Sequence, residues 1–302
     1  MRKKGNLLFK CVSCALAAAT VLLVSSCSTG KSGTASSASS SKTSSKTSSV
    51  SGRTAAQAID SVGAASWKGK LKYIAHRGWD CEAPENTLPA YELAGKNGFW
   101  GGETDIQVTS DGQWVVMHDD TVDRMTNGKG SISTMMFADL RKLVIDAGSN
   151  VANYPGLQVP TFEEYLTTCK KAGIVPVTEI KTGNYTKKNY AALFEIIRKH
   201  DMEDKMVIIS FDFEALTAVR KLSPNMPLGV LGDMNDTDIA IAKHYGAAFV
   251  DSDYTKVTKE QIDKCHAEGV PAAVWTIKDA AAAKTMIDYG VDAITGENIK
   301  PS

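Results

Sequence analysis

The chain has 302 residues, with 34 basic side chains, 34 acidic side chains and six cysteines. The balanced charge excludes the basic surface expected of a nucleic-acid binder, and so few cysteines in a chain this long exclude a disulfide-dense scaffold. From Leu71 to Ser302, about 230 residues have the composition of a folded domain, enough for one large α/β domain with a substantial core.

The chain opens Met1-Arg2-Lys3-Lys4, adds Lys10, and runs apolar from Cys11 to Val24 before Ser25-Ser26-Cys27. A basic start followed by a short apolar run reads as a secretory leader over residues 1–26, too short for the roughly 20 apolar residues of a bilayer span. Val24-Ser25-Ser26-Cys27 resembles the lipobox of bacterial lipoproteins, which puts a lipid on Cys27 and holds the protein at the outer face of the cell membrane. An ordinary leader cut nearby, or an uncleaved anchor, is the alternative. Residues 27–66 follow as the lipidated Cys27 and a tether rich in Ser, Thr, Lys, Gly and Ala, with too little apolar surface to offset the entropy of ordering. A flexible tether of this length reaches roughly 35 to 40 Å. Loss of residues 1–26 removes four basic side chains and no acids, leaving 30 basic against 34 acidic residues and a mildly acidic mature chain. Cys11 and Cys14 lie in the leader, so Cys81, Cys169 and Cys265 allow at most one disulfide.

Residues 67–302 read as a single domain of alternating strands and helices. Strand patterns occupy Leu71–His76, Gly102–Val108, Trp114–His118, Val175–Ile180, Met206–Phe211, Leu228–Leu231, Ala248–Asp253, Ala272–Ile277 and Ala293–Thr295. Helical patterns occupy Thr87–Lys96, Phe162–Lys171, Lys188–His200, Glu214–Leu222, Asp236–Tyr245, Thr258–Glu268 and Asp279–Tyr289. Thr109 to Gln113 is turn-like and joins the second and third strands as a hairpin. Counting the hairpin as one position leaves eight, the pattern of a TIM (β/α)8 barrel, with a doubly wound open sheet as the alternative. Asp120–Thr161 lacks a barrel strand. Within it, Asn127-Gly128-Lys129-Gly130-Ser131 departs from the phosphate-loop spacing and reads as a turn.

Barrel active sites lie at the C-terminal ends of the strands, where His76, Asp105, Glu179, Lys181, Asp251, Asp253 and Trp275 fall. Side chains alternate along a strand, so Glu103 and Asp105 share a face, as do Glu179 and Lys181. If both faces are the barrel interior, three carboxylates converge, and a cation or protons must compensate them. An all-oxygen set suits Ca2+ or Mg2+ rather than a thiolate zinc site; salt bridging to Arg or Lys is the alternative for Glu103 and Asp105. His76 and His118 each close an apolar strand, and two imidazoles beside a carboxylate pair fit the acid and base of ester hydrolysis. Arg77 is suited to grip two phosphate oxygens. His200, His244 and His266 fall in amphipathic helical segments and read as surface residues.

Taken in order, several motifs resemble the glycerophosphodiester phosphodiesterases: His76-Arg77-Gly78, Pro84-Glu85-Asn86-Thr87, Glu103-Thr104-Asp105, Thr109-Ser110-Asp111-Gly112, Val116-Met117-His118-Asp119, Asp146-Ala147-Gly148-Ser149, Val159-Pro160-Thr161-Phe162-Glu163-Glu164, Glu179-Ile180-Lys181 and Val274-Trp275-Thr276. The resemblance covers about Lys72 to Thr295 and implies a TIM barrel that hydrolyses glycerophosphodiesters to glycerol 3-phosphate and an alcohol with one divalent cation. It implies further that His76 and His118 are the acid/base pair, that Glu103, Asp105 and Glu179 hold the metal, and that Arg77 binds the phosphate. By the same resemblance, Lys181 is a second cationic substrate contact and Trp275 lies beside the glycerol moiety. The closing loop departs from the family: Ile294-Thr295-Gly296-Glu297-Asn298 stands where Thr-Asp or Thr-Asn followed closely by Pro is usual. A related phospholipid-cleaving barrel and a noncatalytic envelope binding protein are the competing readings. Glu179 with Lys181 disfavours the first, and the intact histidines and carboxylates disfavour the second.

Overall fold

The computed structural model describes Val62, Trp67 and residues 70–301; the expected leader, Cys27 and most of the expected tether lie outside the described residues. In chain order the elements are β1 (Lys72–Ala75), α1 (Leu88–Lys96), β2 (Gly101–Val108), β3 (Trp114–Val116), α2 (Phe137–Leu140), α3 (Phe162–Ala172), β4 (Val175–Ile180), α4 (Lys187–Lys199), β5 (Val207–Ser210), α5 (Phe213–Leu222), β6 (Leu228–Gly232), α6 (Asp236–Tyr245), β7 (Ala248–Asp253), α7 (Lys259–Ala267), β8 (Ala272–Ile277), α8 (Ala280–Tyr289) and β9 (Ala293–Gly296). Eight parallel strands run β1-β9-β8-β7-β6-β5-β4-β2, and the β1–β2 pairing closes them into a TIM barrel. β3 pairs antiparallel with the far end of β2, Ile106 opposite Val116, as the hairpin pattern predicts. The open-sheet alternative is therefore excluded.

Strand alternation builds two separate cores. The inward side chains of the lower barrel, among them Ile74, Val177, Val207, Ile209, Phe249, Ala273 and Ala293, form one cluster. Outward side chains such as Ile106, Ile180, Ile208, Val230, Val250 and Val274 pack beneath the helices in a larger one. Helix starts are set by polar caps: Thr161 with Glu164, Thr186 with Asn189, Asn235 with Asp238 and Thr258 with Gln261 each form reciprocal capping boxes. These caps hold four helices to the positions that the sequence pattern assigns within a residue or two.

Residues 117–161 carry a small core of their own around Met117, Val122, Met125, Ile132, Leu140, Ile145 and Val159. Here α2 is four residues long, below the length at which helical periodicity can be read from sequence. The segment 127–131 is a turn: Thr121 bridges Ser131, and Gly130 adopts a positive φ of 117°. β3 ends at Val116 rather than at His118. Gln107 explains this early end, because its side-chain amide donates to the carbonyls of Met117, His118 and Asp119 at 2.9, 3.3 and 2.7 Å, turning the chain out of the ladder.

The end of the barrel at which the strands begin is closed by Trp67. Its ring stacks on Phe249 with centroids 4.2 Å apart and meets Trp100 edge-on at 5.6 Å, while the Lys72 ammonium lies 5.3 Å above it. Val62, within the stretch read as tether, is buried, and its amide donates to the Asp204 carbonyl at 2.6 Å. Cys81, Cys169 and Cys265 are all free thiols. Trp67→Ala should lower the unfolding free energy by about 3 to 5 kcal/mol, the range for truncating a buried large aromatic, as measured by urea denaturation. A loss below about 1 kcal/mol would mean that the plug is not part of the cooperative fold.

Candidate active site

The C-terminal ends of the barrel strands surround a cavity of about 580 Å³. His76, Arg77, Glu103, Asp105, His118, Glu179, Lys181 and Trp275 all line it. Of the expected site residues only Cys27 is absent from this group, lying outside the described residues.

Strand register brings the carboxylates together. Asp105 on β2 sits opposite Glu179 on β4, and Glu103 lies one alternation deeper on the same inward face. One oxygen from each lies within 4.8 Å of the others. Glu103, Asp105 and Glu179 are only 4, 1 and 9 % exposed, so water does little to screen their mutual repulsion. Burial, then the charges of Asp105 and Glu179, drives the Glu103 carboxyl well above its ordinary range. Glu179 rises to about 7, from burial and then from Asp105.

Cationic and hydrogen-bonding groups partly compensate. Lys181 places its ammonium 3.0 Å from Glu179 and 3.5 Å from Asp105. Arg77 donates its backbone amide to Glu103 at 2.8 Å and brings its side-chain Nε to 3.5 Å from Asp105. Burial alone would lower both cations, yet the surrounding acids outweigh it and raise them. The salt bridges set out as an alternative are thus present alongside the oxygen-ligand geometry.

The Pro84-Glu85-Asn86-Thr87 motif supplies part of this frame. Asn86 donates its side-chain amide to Asp105 at 2.8 Å and accepts from the Tyr91 and Thr104 hydroxyls at 2.9 and 3.1 Å. Its backbone amide donates to the Arg77 carbonyl at 2.9 Å. Arg77 and Asn86 both take left-handed backbone, φ 54° and 56°, a conformation rare for residues with a side chain. Gly78 is left-handed as well, φ 79°, and a Cβ there would also meet the Ala90 side chain of α1 at 2.7 Å.

Each histidine is held by a carboxylate. His76 Nδ1 lies 2.9 Å from Glu297 and His118 Nδ1 lies 2.7 Å from Asp119. Donation from Nδ1–H to the carboxylate leaves each Nε2 free to take or give a proton. The His76 hydrogen bond, opposed by partial burial, draws Glu297 down to about 2. Asp119 is held far below its ordinary range, first by Arg124, which meets it through two hydrogen bonds of 2.7 and 3.0 Å. Arg124 also forks onto Glu85 at 2.9 and 2.7 Å, and Glu85 accepts from Arg77 at 2.9 Å. One chain of hydrogen bonds therefore runs from His118 through Asp119, Arg124 and Glu85 to Arg77.

Sequence reasoning assigned no role to Glu85, Asn86, Asp119, Arg124 or Glu297. Glu85, Asn86 and Asp119 were visible within motifs, and adjacency to His118 was a usable signal for Asp119. Glu297 lies 221 residues from His76, and only strand order brings the two together. Asp80 is another unanticipated neighbour, pushed up to about 6 by burial and then by Glu297. Of the helical histidines, His244 and His266 are exposed as expected, but His200 is half-buried and 3.0 Å from Glu163.

Comparison with known proteins follows the same boundaries. The glycerophosphoryl diester phosphodiesterase family matches residues 76–300. A glycerophosphodiester phosphodiesterase of Caldanaerobacter subterraneus is 32% identical over 230 residues, covering 74% of this chain and 93% of that protein. One from Bacillus subtilis is 32% identical over 245 residues, with 74% and 83% covered. The solved structure of an Oleispira antarctica phosphodiesterase, in complex with its product sn-glycerol-3-phosphate, superposes with a TM-score of 0.71 at 29% identity. That superposition covers 77% of this chain and 94% of the other.

The buried carboxylates make a signed prediction about stability. Glu179 holds its proton up to about 7 in the folded chain, against 4.5 as an unperturbed side chain. Its contribution is fully present below the unfolded value and lost as pH rises through the folded one. With divalent cations chelated, the unfolding free energy should fall between about pH 5 and pH 8, and Glu179→Gln should make that fall shallower. Denaturant titrations across the range test this. An unchanged slope in the variant would remove Glu179 as a source.

Proposed function

The chain belongs to the glycerophosphoryl diester phosphodiesterase family, and on that footing we propose that it hydrolyses glycerophosphodiesters to glycerol 3-phosphate and an alcohol by two-histidine acid/base catalysis at the barrel mouth. The observation that carries this reading is a pair of imidazoles, each anchored through Nδ1 to a carboxylate, lining one cavity with Arg77 and three buried acids. Such an arrangement supplies both proton transfers that a diester needs.

Glu103, Asp105 and Glu179 are the residues that would hold a divalent cation. Three buried carboxylates within 4.8 Å fit a hard, oxygen-seeking ion such as Ca2+ or Mg2+, and the upward-driven carboxyls of Glu103 and Glu179 record the charge that such an ion would relieve. When bound, the ion supplies Lewis-acid neutralisation of charge on the phosphoryl oxygens. Arg77 contributes from the same side, since it lines the cavity beside the carboxylates and its guanidinium is suited to phosphate oxygens. One histidine Nε2 removes the proton of the attacking oxygen, and the other protonates the departing alkoxide. Lys181 holds the phosphate side of the substrate, and Trp275 packs on its glycerol moiety. The leader and Cys27 belong to the same proposal, keeping the enzyme outside the cell membrane on a lipid anchor. Loss of metabolic lipid labelling in Cys27→Ala is the expected result; unchanged labelling would refute the anchor.

Purified protein should release glycerol 3-phosphate from glycerophosphocholine or a similar diester, and a chelator should abolish the release. Inactivity on a broad diester panel with Ca2+, Mg2+ and Mn2+ would sink the proposal. His118→Ala should lose about 10² to 10⁴ in kcat while keeping its cation affinity. Glu103→Ala should instead raise the cation concentration needed for half-maximal rate. Glu297→Gln should lower kcat with little change in KM and shift the pH–rate profile, because the group orienting His76 no longer carries charge; an unaltered profile would reduce Glu297 to a packing role.

A further inference from the structure

We infer that Cys81 and Asn298 are positioning residues for His76: they clasp the segment after β9 to the loop after β1, and the clasp sets Glu297 against the imidazole. This inference rests on the phosphodiesterase reading above and extends it to residues to which that reading gives no part.

Backbone bonds fix where Glu297 starts but not where its carboxylate points. The His76 amide donates to the Gly296 carbonyl at 3.1 Å, and the Glu297 amide donates to the Ile277 carbonyl at 2.8 Å, so the end of β9 is seated between β1 and β8. The flexible Glu297 side chain must still bring one oxygen to His76 Nδ1, 2.9 Å away. Two neighbours act against that placement. Lys278 attracts the other carboxylate oxygen from 3.5 Å, and Asp80 brings a second carboxyl within 4.8 Å of both His76 and Glu297. Carboxyls this close repel, and Asp80 records it, pushed up to about 6 by burial and then by Glu297. Left unrestrained, the Glu297 side chain would swing toward Lys278 and water.

The next residue supplies the restraint. Asn298 takes left-handed backbone, φ 57°, and its side-chain carbonyl accepts from the Cys81 thiol at 2.8 Å while its backbone amide donates to the Cys81 sulfur at 3.3 Å. The contact thus runs in both directions. Because Cys81 follows Asp80 and Asn298 follows Glu297, it fixes the two carboxyl-bearing segments relative to each other. Burial raises the Cys81 thiol above its ordinary range, which keeps on the sulfur the proton that it donates. Farther along, the Lys300 ammonium lies 5.1 Å over the Trp79 ring and 3.5 Å from Glu82, which in turn accepts from the Trp79 ring N–H at 2.9 Å. Residues 298–300 therefore lie along residues 79–82 as a strap. This is also where the sequence departs from the family's usual closing loop, so the carboxylate on His76 and the residues that hold it there come together in this chain.

Without the clasp, His76 keeps its place at the end of β1 but loses the fixed acceptor for its Nδ1–H. Its Nε2 is then aimed at the substrate in only a fraction of molecules. Such a loss falls on kcat more than on KM, since other residues hold the phosphate.

Cys81→Ala and Asn298→Gly each remove one side chain of the clasp, and glycine at 298 tolerates the left-handed backbone. The His76 imidazole titration, followed by proton NMR and identified by its absence in His76→Gln, should shift toward its position in Glu297→Gln, while that of His118 stays in place. On glycerophosphocholine or a similar diester, kcat should fall roughly 2- to 10-fold with KM little changed. Cys81→Ser, which keeps a donor and an acceptor, should recover most of that loss. In the Glu297→Gln background the same substitutions should add little, because the clasp acts through Glu297. An unmoved His76 titration, equal shifts at His76 and His118, or losses that multiply with that of Glu297→Gln would overturn the inference. If the unaltered protein hydrolyses no diester, the parent reading fails and the titration still decides the clasp.

Discussion

Three carboxylates forced into mutual contact at the mouth of a barrel are the constraint around which the rest of the site is organised. Glu103, Asp105 and Glu179 cannot all be ionised and buried without compensation, and the groups about them answer that need. Lys181 stands between Glu179 and Asp105, the Arg77 amide is spent on Glu103, and Asn86 is held by Tyr91 and Thr104 so that it can donate to Asp105. Even the left-handed backbone at Arg77 and Asn86 is understandable in these terms, because it turns polar groups inward that an ordinary loop would leave in water.

The same charge balance reaches the histidines. Arg77 is shared between Asp105 and Glu85, Glu85 is shared with Arg124, and Arg124 fixes Asp119 beside His118. Removing any link changes the charge felt at the next. Such networks are seldom additive, so the positions of the Arg77 guanidinium and the His118 imidazole are parts of one arrangement. The segment between β3 and α3 brings Arg124 and Asp119 to the mouth, and its separate apolar core gives those side chains a firm base.

Rigidity comes from below. Inward aliphatic side chains fill the lower barrel, and Trp67 closes its far end against Phe249 and Trp100. Placed on a packed floor, the charged side chains of the mouth are held in preset positions.

Much of this was written in the chain itself. Alternation of β-branched runs with amphipathic stretches determined the eight parallel strands, because side-chain period is a local property of backbone geometry. The same alternation put Glu103 with Asp105 and Glu179 with Lys181 on shared faces, and apolar runs ending in His76 and His118 marked the mouth. Strand ends were less legible: β3 stops at Val116 because the Gln107 side chain captures carbonyls beyond it, a contact that no local propensity encodes. Only the tertiary structure decided that Glu297 meets His76 and that Arg124 ties Asp119 to Glu85. Those pairings join residues from strands that meet only when the barrel closes, and closure is a property of the whole chain rather than of any segment of it.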